Sequence, residues 1–204
     1  MGVVRNLGIR AYDALTGSSL SSSLKLFEES QWWNRQSLEN HQKKKFRRLI
    51  KEAYRSVPFY HNYFKKEKLH PEDFKDLSDL KKLPIINKTL ISKNPKEFIN
   101  KNFQKSNLIQ NRTGGTTGAP FRYFVTHHSD SVGYAQKIRG FKWGGLDFGT
   151  KYATLAGSSL IPDRAVPFKQ RIKTRFENNY PLSAVHMDNV NMENHFNLLK
   201  NKNI

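Results

Sequence analysis

The chain contains no cysteine in its 204 residues, which removes disulfides, thiol nucleophiles and thiolate metal sites together. It has no apolar run approaching the ~18 residues that a membrane-crossing helix needs. Acidic residues are scarce: 17 Asp and Glu stand against 35 Lys and Arg, a formal charge of +18. The seven histidines show no His-Glu-x-x-His or comparable ligand spacing, so no metal site is predicted. His127 and His128 are expected at the surface, where a helix starts. The N-terminal run is too charged for a signal peptide, and Asn6 stands where a myristoylation signal needs Ser or Thr. These absences, with a length inside the single-domain range, predict a one-domain cytoplasmic protein, with the inner face of the membrane as a peripheral alternative.

The positive charge is spread along the chain: 22 Lys and Arg against 11 Asp and Glu in residues 1–110, and 13 against 6 thereafter. Its densest part runs from Lys43 to Lys51. There Leu38, Phe46, Leu49, Ile50, Ala53 and Val57 recur at helical spacing, with Lys44, Arg48, Lys51 and Arg55 on the other side. Such a helix packs one face and leaves a basic face to solvent. That face also suits an anionic partner: nucleotide, CoA, lipid surface or nucleic acid.

Residues 2–16 read as a short amphipathic helix with Val3, Val4, Leu7, Ala11 and Ala14 inward, and Gly17 to Ser23 as a linker. A long helix is expected from Glu28 to Ser56, ended by Pro58, then a second from Asn62 to Lys68. Residues 70–105 are broken by Pro71, Pro84 and Pro95 into short pieces. Ser129 to Trp143 suits a helix, Gly144 to Gly149 a turn in which Asp147 acts as a cap, and Lys151 to Ala156 a buried strand. Strand, helix, turn and strand predict a βαβ unit. The last helix carries Met192, Phe196 and Leu199 on one face, with no glycine or proline stop. The aromatic residues Trp32, Trp33, Tyr60 and Trp143 suit core packing better than pocket walls.

The segment Thr113-Gly114-Gly115-Thr116-Thr117-Gly118-Ala119-Pro120 carries the most chemistry. Glycine permits close approach to the backbone, and a concave run of N–H groups is an anion nest. Residues 107–112 partly alternate, and Phe121 to Thr126 is aromatic and β-branched, so the loop joins two strands in a wide hairpin. A Walker A loop opens into a helix through Gly-Lys-Ser/Thr, and a dinucleotide fingerprint needs GxGxxG; neither occurs.

At these residues the chain resembles the Thr-Ser-Gly-Thr-Thr-Gly-x-Pro phosphate loop of adenylate-forming enzymes. The nearer likeness is to the phenylacetate–CoA ligase family, including its branch found with capsular polysaccharide biosynthesis. Val57-Pro58-Phe59-Tyr60, Leu83-Pro84-Ile85, Lys88, Trp143-Gly144-Gly145 and Lys151 to Gly157 resemble its landmarks. Many members of the superfamily carry lysines beside the loop's proline; here Ala119 and Phe121 stand there, leaving backbone N–H groups, threonine hydroxyls and either Arg112 or Arg122 to meet phosphate.

The resemblance implies an α/β fold: a helical N-terminal region followed by part of the large adenylate-forming domain, a mixed, partly parallel sheet with flanking helices. On that division residues 1–27 are an N-terminal segment and linker. Residues 28–204 are the incomplete domain, helical over 28–105 and α/β over 106–204. It further implies an ATP-dependent carboxylate–CoA ligase, with ATP, Mg²⁺ and CoA as cofactors and a carboxylic acid as substrate. Thr113, Gly114, Gly115, Thr116, Thr117 and Gly118 would bind phosphate. The adenine and ribose segment and the C-terminal catalytic lysine of the family have no counterpart in residues 121–204. The chain therefore reads as a fragment or truncated product, inactive alone and without an assigned catalytic residue. The alternatives are a basic module for nucleic acid or membrane surface, though no RNA-binding motif is present, and a non-catalytic truncated paralogue.

Overall fold

The computed structural model describes residues 2–113, 120–157, 177–184 and 187–204. Its elements in order are α1 (Gly2–Thr16), α2 (Leu20–Ser30), α3 (Arg35–Ser56), α4 (Pro58–Lys66), α5 (Lys88–Lys93), β1 (Leu108–Arg112), β2 (Arg122–Thr126), α6 (His127–Trp143), β3 (Tyr152–Ala156), β4 (Asn179–Ser183) and α7 (Asn189–Lys202). The protein is mixed α/β and mostly α, with two small two-stranded sheets, one of them parallel. Two compact units divide it: Lys25–Asp130, and Met1–Leu24 with Ser131–Ile204.

In the unit 25–130, the helix expected from Glu28 to Ser56 is two helices. Asn34 is extended, and its side chain accepts a hydrogen bond from the Ser37 N–H at 2.8 Å, an N-cap that starts α3 afresh. Trp32 lies in the preceding turn, 82% exposed, so it belongs neither to a core nor to a pocket. Helix α3 stops where the proline predicts: Val57 turns extended, and Pro58 takes the first turn of α4, where its missing N–H costs nothing.

Phe46 and Ile50 of α3 meet Phe64 of α4 and Phe74 in a dry core, closed by Tyr54, Tyr63, Leu69 and Leu83. Phe64 and Phe74 stack at 5.1 Å, and Phe46 meets Phe74 edge-on at 6.5 Å. The apolar stripe is narrower than predicted, since Leu38 and Leu49 stay exposed. Lys44, Arg48, Lys51 and Arg55 are exposed on the side of α3 away from Phe46 and Ile50.

The other unit is built from both ends of the chain. Among the described side chains of α1, Ile9 and Tyr12 are buried whereas Leu7, Ala11 and Ala14 are exposed, which corrects that part of the predicted face; Val3 and Val4 lie outside the described side chains. Tyr12 decides this, its ring lying 6.2 Å from that of Tyr134 on α6. The serine run is likewise no linker beyond Ser19. The Asp13 carboxylate accepts from the N–H groups of Leu20 (2.8 Å) and Ser21 (2.9 Å) and from the hydroxyls of Ser18 and Ser21, so it caps α2 from outside. Leu20 and Leu24, one turn apart, are then buried. Burial alone would raise the Asp13 pKa, but the hydrogen bonds from Ser18, Ser21 and Leu20 outweigh it and hold the carboxyl below its usual range.

His127 and His128 are exposed at the start of α6. The turn after α6 uses Gly145 (φ 82°) and Gly149 (φ 85°), and Asp147 caps it by accepting from the Phe148 N–H at 2.8 Å. Trp143 is 70% exposed under the Arg139 guanidinium rather than in a core.

The predicted βαβ unit takes a different form. β2 pairs antiparallel with β1, while the parallel partner of β3 is β4; no ladder joins β2 to β3 among the described residues. A hairpin partner is close in sequence, whereas a parallel one must come back through a crossover. β3 is not fully buried either: Leu155 is 57% exposed, as a two-stranded sheet covers little. Helix α7 is capped by Asp188 and by left-handed Asn203, and leaves Met192 and Phe196 exposed.

Candidate functional site

The hairpin places the Gly/Thr segment. The β1–β2 ladder runs from Leu108 opposite Thr126 to Arg112 opposite Arg122. One step further, the Thr113 N–H donates to the Phe121 carbonyl at 2.9 Å, and the Phe121 N–H donates to Thr113 Oγ1 at 3.2 Å. The strands therefore stay together up to Thr113 and Phe121. Thr113 Oγ1 is partly committed as an acceptor, while its proton is still there to donate. Gly114, Gly115, Thr116, Thr117 and Gly118 lie outside the described residues, so of the predicted phosphate-binding set the described structure includes Thr113.

Beside this hairpin, inside the same unit, is a cleft of about 690 Å³. β2 forms one wall; Leu49 and Ala53 of α3, with Val57 and Tyr60, form another; Phe98 and Phe103 close it. The volume and mainly apolar lining, with a few polar groups, suit a small-molecule site. The wall carrying Phe98 and Phe103 is tied to α3. Glu52 Oε1 accepts from the side-chain amides of Asn100 at 2.8 Å and Asn102 at 3.1 Å, and the Lys101 N–H donates to the Ser56 carbonyl at 2.8 Å. Hydrogen bonds from Asn100, then Asn102, hold the Glu52 carboxyl below its usual range. Burial pushes the Tyr60 phenol up, so it stays a neutral hydroxyl at the cleft wall.

Sequence reasoning set Tyr60 aside as core packing and gave the cleft no notice. The cleft joins residues up to 80 positions apart, and no periodicity in the chain marks it. Arg122 was noted and does line it.

A second polar cluster lies in the other unit. Glu177 is buried, and Lys137 Nζ sits over the rings of Phe141 (5.3 Å), Tyr152 (5.6 Å) and Tyr134 (5.9 Å). Burial and the Glu177 charge push Tyr152 up to about 12, and burial, then Glu177, raises Tyr134 further still. The cavity here is about 20 Å³, room for roughly one water, so the cluster is structural.

Among the described residues no group of three His, Asp or Glu could hold a metal ion, and the hairpin end offers Thr113 and two arginines without a carboxylate. No described helix is long and apolar enough to cross a membrane. No protein-family model and no curated protein matches the chain.

Proposed function

We propose that this chain carries the phosphate-binding hairpin of an ATP-dependent, adenylate-forming carboxylate ligase of the phenylacetate–CoA ligase type. The observation that carries the reading is the Thr113–Phe121 closure: it sets the glycine- and threonine-rich segment between two antiparallel strands, the context the motif needs and one that Walker A and dinucleotide loops do not share. The finer fold belongs to the same proposal, with residues 28–105 and 106–204 as the helical and α/β portions of one adenylate-forming domain.

In the proposed reaction a carboxylate oxygen attacks the α-phosphorus of ATP. The bond to the bridging oxygen breaks and pyrophosphate leaves; a thiol, CoA by the resemblance, then displaces AMP from the acyl-adenylate. The hairpin's task is to hold the β and γ phosphates still and offset their charge as pyrophosphate departs. Titration calorimetry with ATP, ADP and AMP tests this. Affinity should fall with each phosphate removed, and pyrophosphate should compete with ATP. Equal affinity for ATP and AMP, or no binding of either, contradicts it.

A second reading rests on the exposed stripe Lys44, Arg48, Lys51 and Arg55, which suits an anionic surface. Steeply salt-dependent binding to anionic vesicles, lost on reversing these four charges, would support it. Binding that ignores salt would dismiss it.

A further inference from the structure

Arg112 and Arg122 stand directly opposite each other in the last pair of the β1–β2 ladder. Residues so placed have Cβ atoms about 4.5–5.5 Å apart, and like charges there oppose pairing. Both side chains are exposed, and neither joins an ion pair among the described residues. The hairpin strands hold no Asp or Glu that would offset them. Two arginines at directly opposed ladder positions, with no acidic residue in either strand, are an unfavourable choice for a hairpin that only has to fold.

Alternation along the strands puts Arg112 on the face of Leu108, and Arg122 on that of Phe124 and Thr126. Leu108, Arg122, Phe124 and Thr126 all line the 690 Å³ cleft. Arg122 thus stands where the cleft reaches the end of the ladder, with Arg112 as its ladder partner, one residue before the Thr113–Phe121 closure. On the sequence side, Ala119 and Phe121 put no charge next to Pro120.

We infer that Arg112 and Arg122 form a two-armed clamp for the phosphate oxygens of a polyphosphate ligand. The inference rests on the phosphate-binding reading of the same hairpin and adds the residues that supply its charge. A guanidinium presents paired N–H donors in a planar fork that matches phosphate oxygens, and two forks on one face give the +2 charge suited to adjacent phosphates. The ladder fixes both backbones, so the two side chains leave the hairpin from opposed, fixed positions. Ligand charge then removes the cross-strand repulsion, which couples binding to hairpin stability.

The test uses the full chain with inorganic pyrophosphate and ATP as probes, comparing wild type with R112Q, R122Q, R112Q/R122Q and R112K/R122K. Each single glutamine variant should weaken pyrophosphate binding about tenfold, and the double variant by more, with a shallower salt dependence. The double lysine variant should fall between wild type and the double glutamine variant, since lysine keeps the charge and loses the fork. Without ligand, the glutamine variants should melt at or above the wild-type temperature. Wild type binding both probes, with R112Q/R122Q within twofold of it, would overturn the clamp and leave the hairpin reading intact. Wild type binding neither would remove both. A lower unliganded melting temperature in both single glutamine variants would mean that the arginines hold the hairpin itself, and the clamp would fall.

Discussion

The unit 25–130 and the unit made of residues 1–24 and 131–204 bury different kinds of side chain. In the first, Phe46, Ile50, Phe64 and Phe74 form an apolar core drawn from one continuous stretch of chain, and the buried polar side chain among its described residues is the neutral Ser56. In the second, the buried apolar residues Ile9, Tyr12, Leu20, Leu24, Ala135, Ile138 and Leu182 share the interior with Ser23, Ser131 and Glu177. A dry core answers mainly to lost volume; a core threaded with polar groups answers also to lost hydrogen bonds and to pH. The hairpin and its cleft belong to the first unit, where the cleft wall at Asn100 and Asn102 is tied to the Glu52 carboxylate.

Four changes probe that contrast. Phe64→Ala should cost about 3–5 kcal/mol and raise hydrogen exchange across 25–130, since Phe64 is fully buried in the core cluster and stacked on Phe74. A loss below about 1 kcal/mol in thermal melting would mean that this core is loosely packed.

Tyr134→Phe should cost the other unit about 1–3 kcal/mol, because it takes a hydroxyl donor from buried Glu177. The same cluster gives an alkaline limit. Folding raises the Tyr152 value to about 12, so its stabilisation is complete below about pH 10 and lost as pH climbs through the folded value. Protection factors in residues 131–157, corrected for base-catalysed intrinsic exchange, should therefore fall over that window in wild type. Protection factors that hold constant up to about pH 12 would contradict it.

Asp13→Asn comes next, at about 0.5–2 kcal/mol for a weakened helix cap. Here folding lowers the carboxyl's value, so the stabilisation is in place above about pH 4 and fades as pH falls through the folded value. The variant's acid melting curve should be flatter than wild type. Phe196→Ser on exposed α7 should be smallest, within about 0.5 kcal/mol by denaturant melting.

Legibility in the sequence followed the range of the interactions. The strands around the glycine loop, the helix break at Pro58 and the Asp147 cap rest on neighbours a few residues away, and each was readable. The new start at Arg35 was hidden because Asn34 caps within a polar stretch, and the tryptophans before it look like core. Ser21 to Ser23 look like linker until Asp13 folds back to cap them and Leu20 is buried. The pairing of β3 with β4 spans a crossover with no local mark. The Arg112–Arg122 juxtaposition depends on ladder register, so the sequence offers one or the other as a phosphate contact and hides their pairing.

Amide NMR of the labelled chain during an ATP titration gives the most direct trial of phosphate binding at the hairpin. Saturable shifts should appear at Arg112, Thr113, Phe121 and Arg122, while the amides of Lys44, Arg48, Lys51 and Arg55 stay still. Shifts confined to those four on α3, or no saturable shift anywhere, would contradict it.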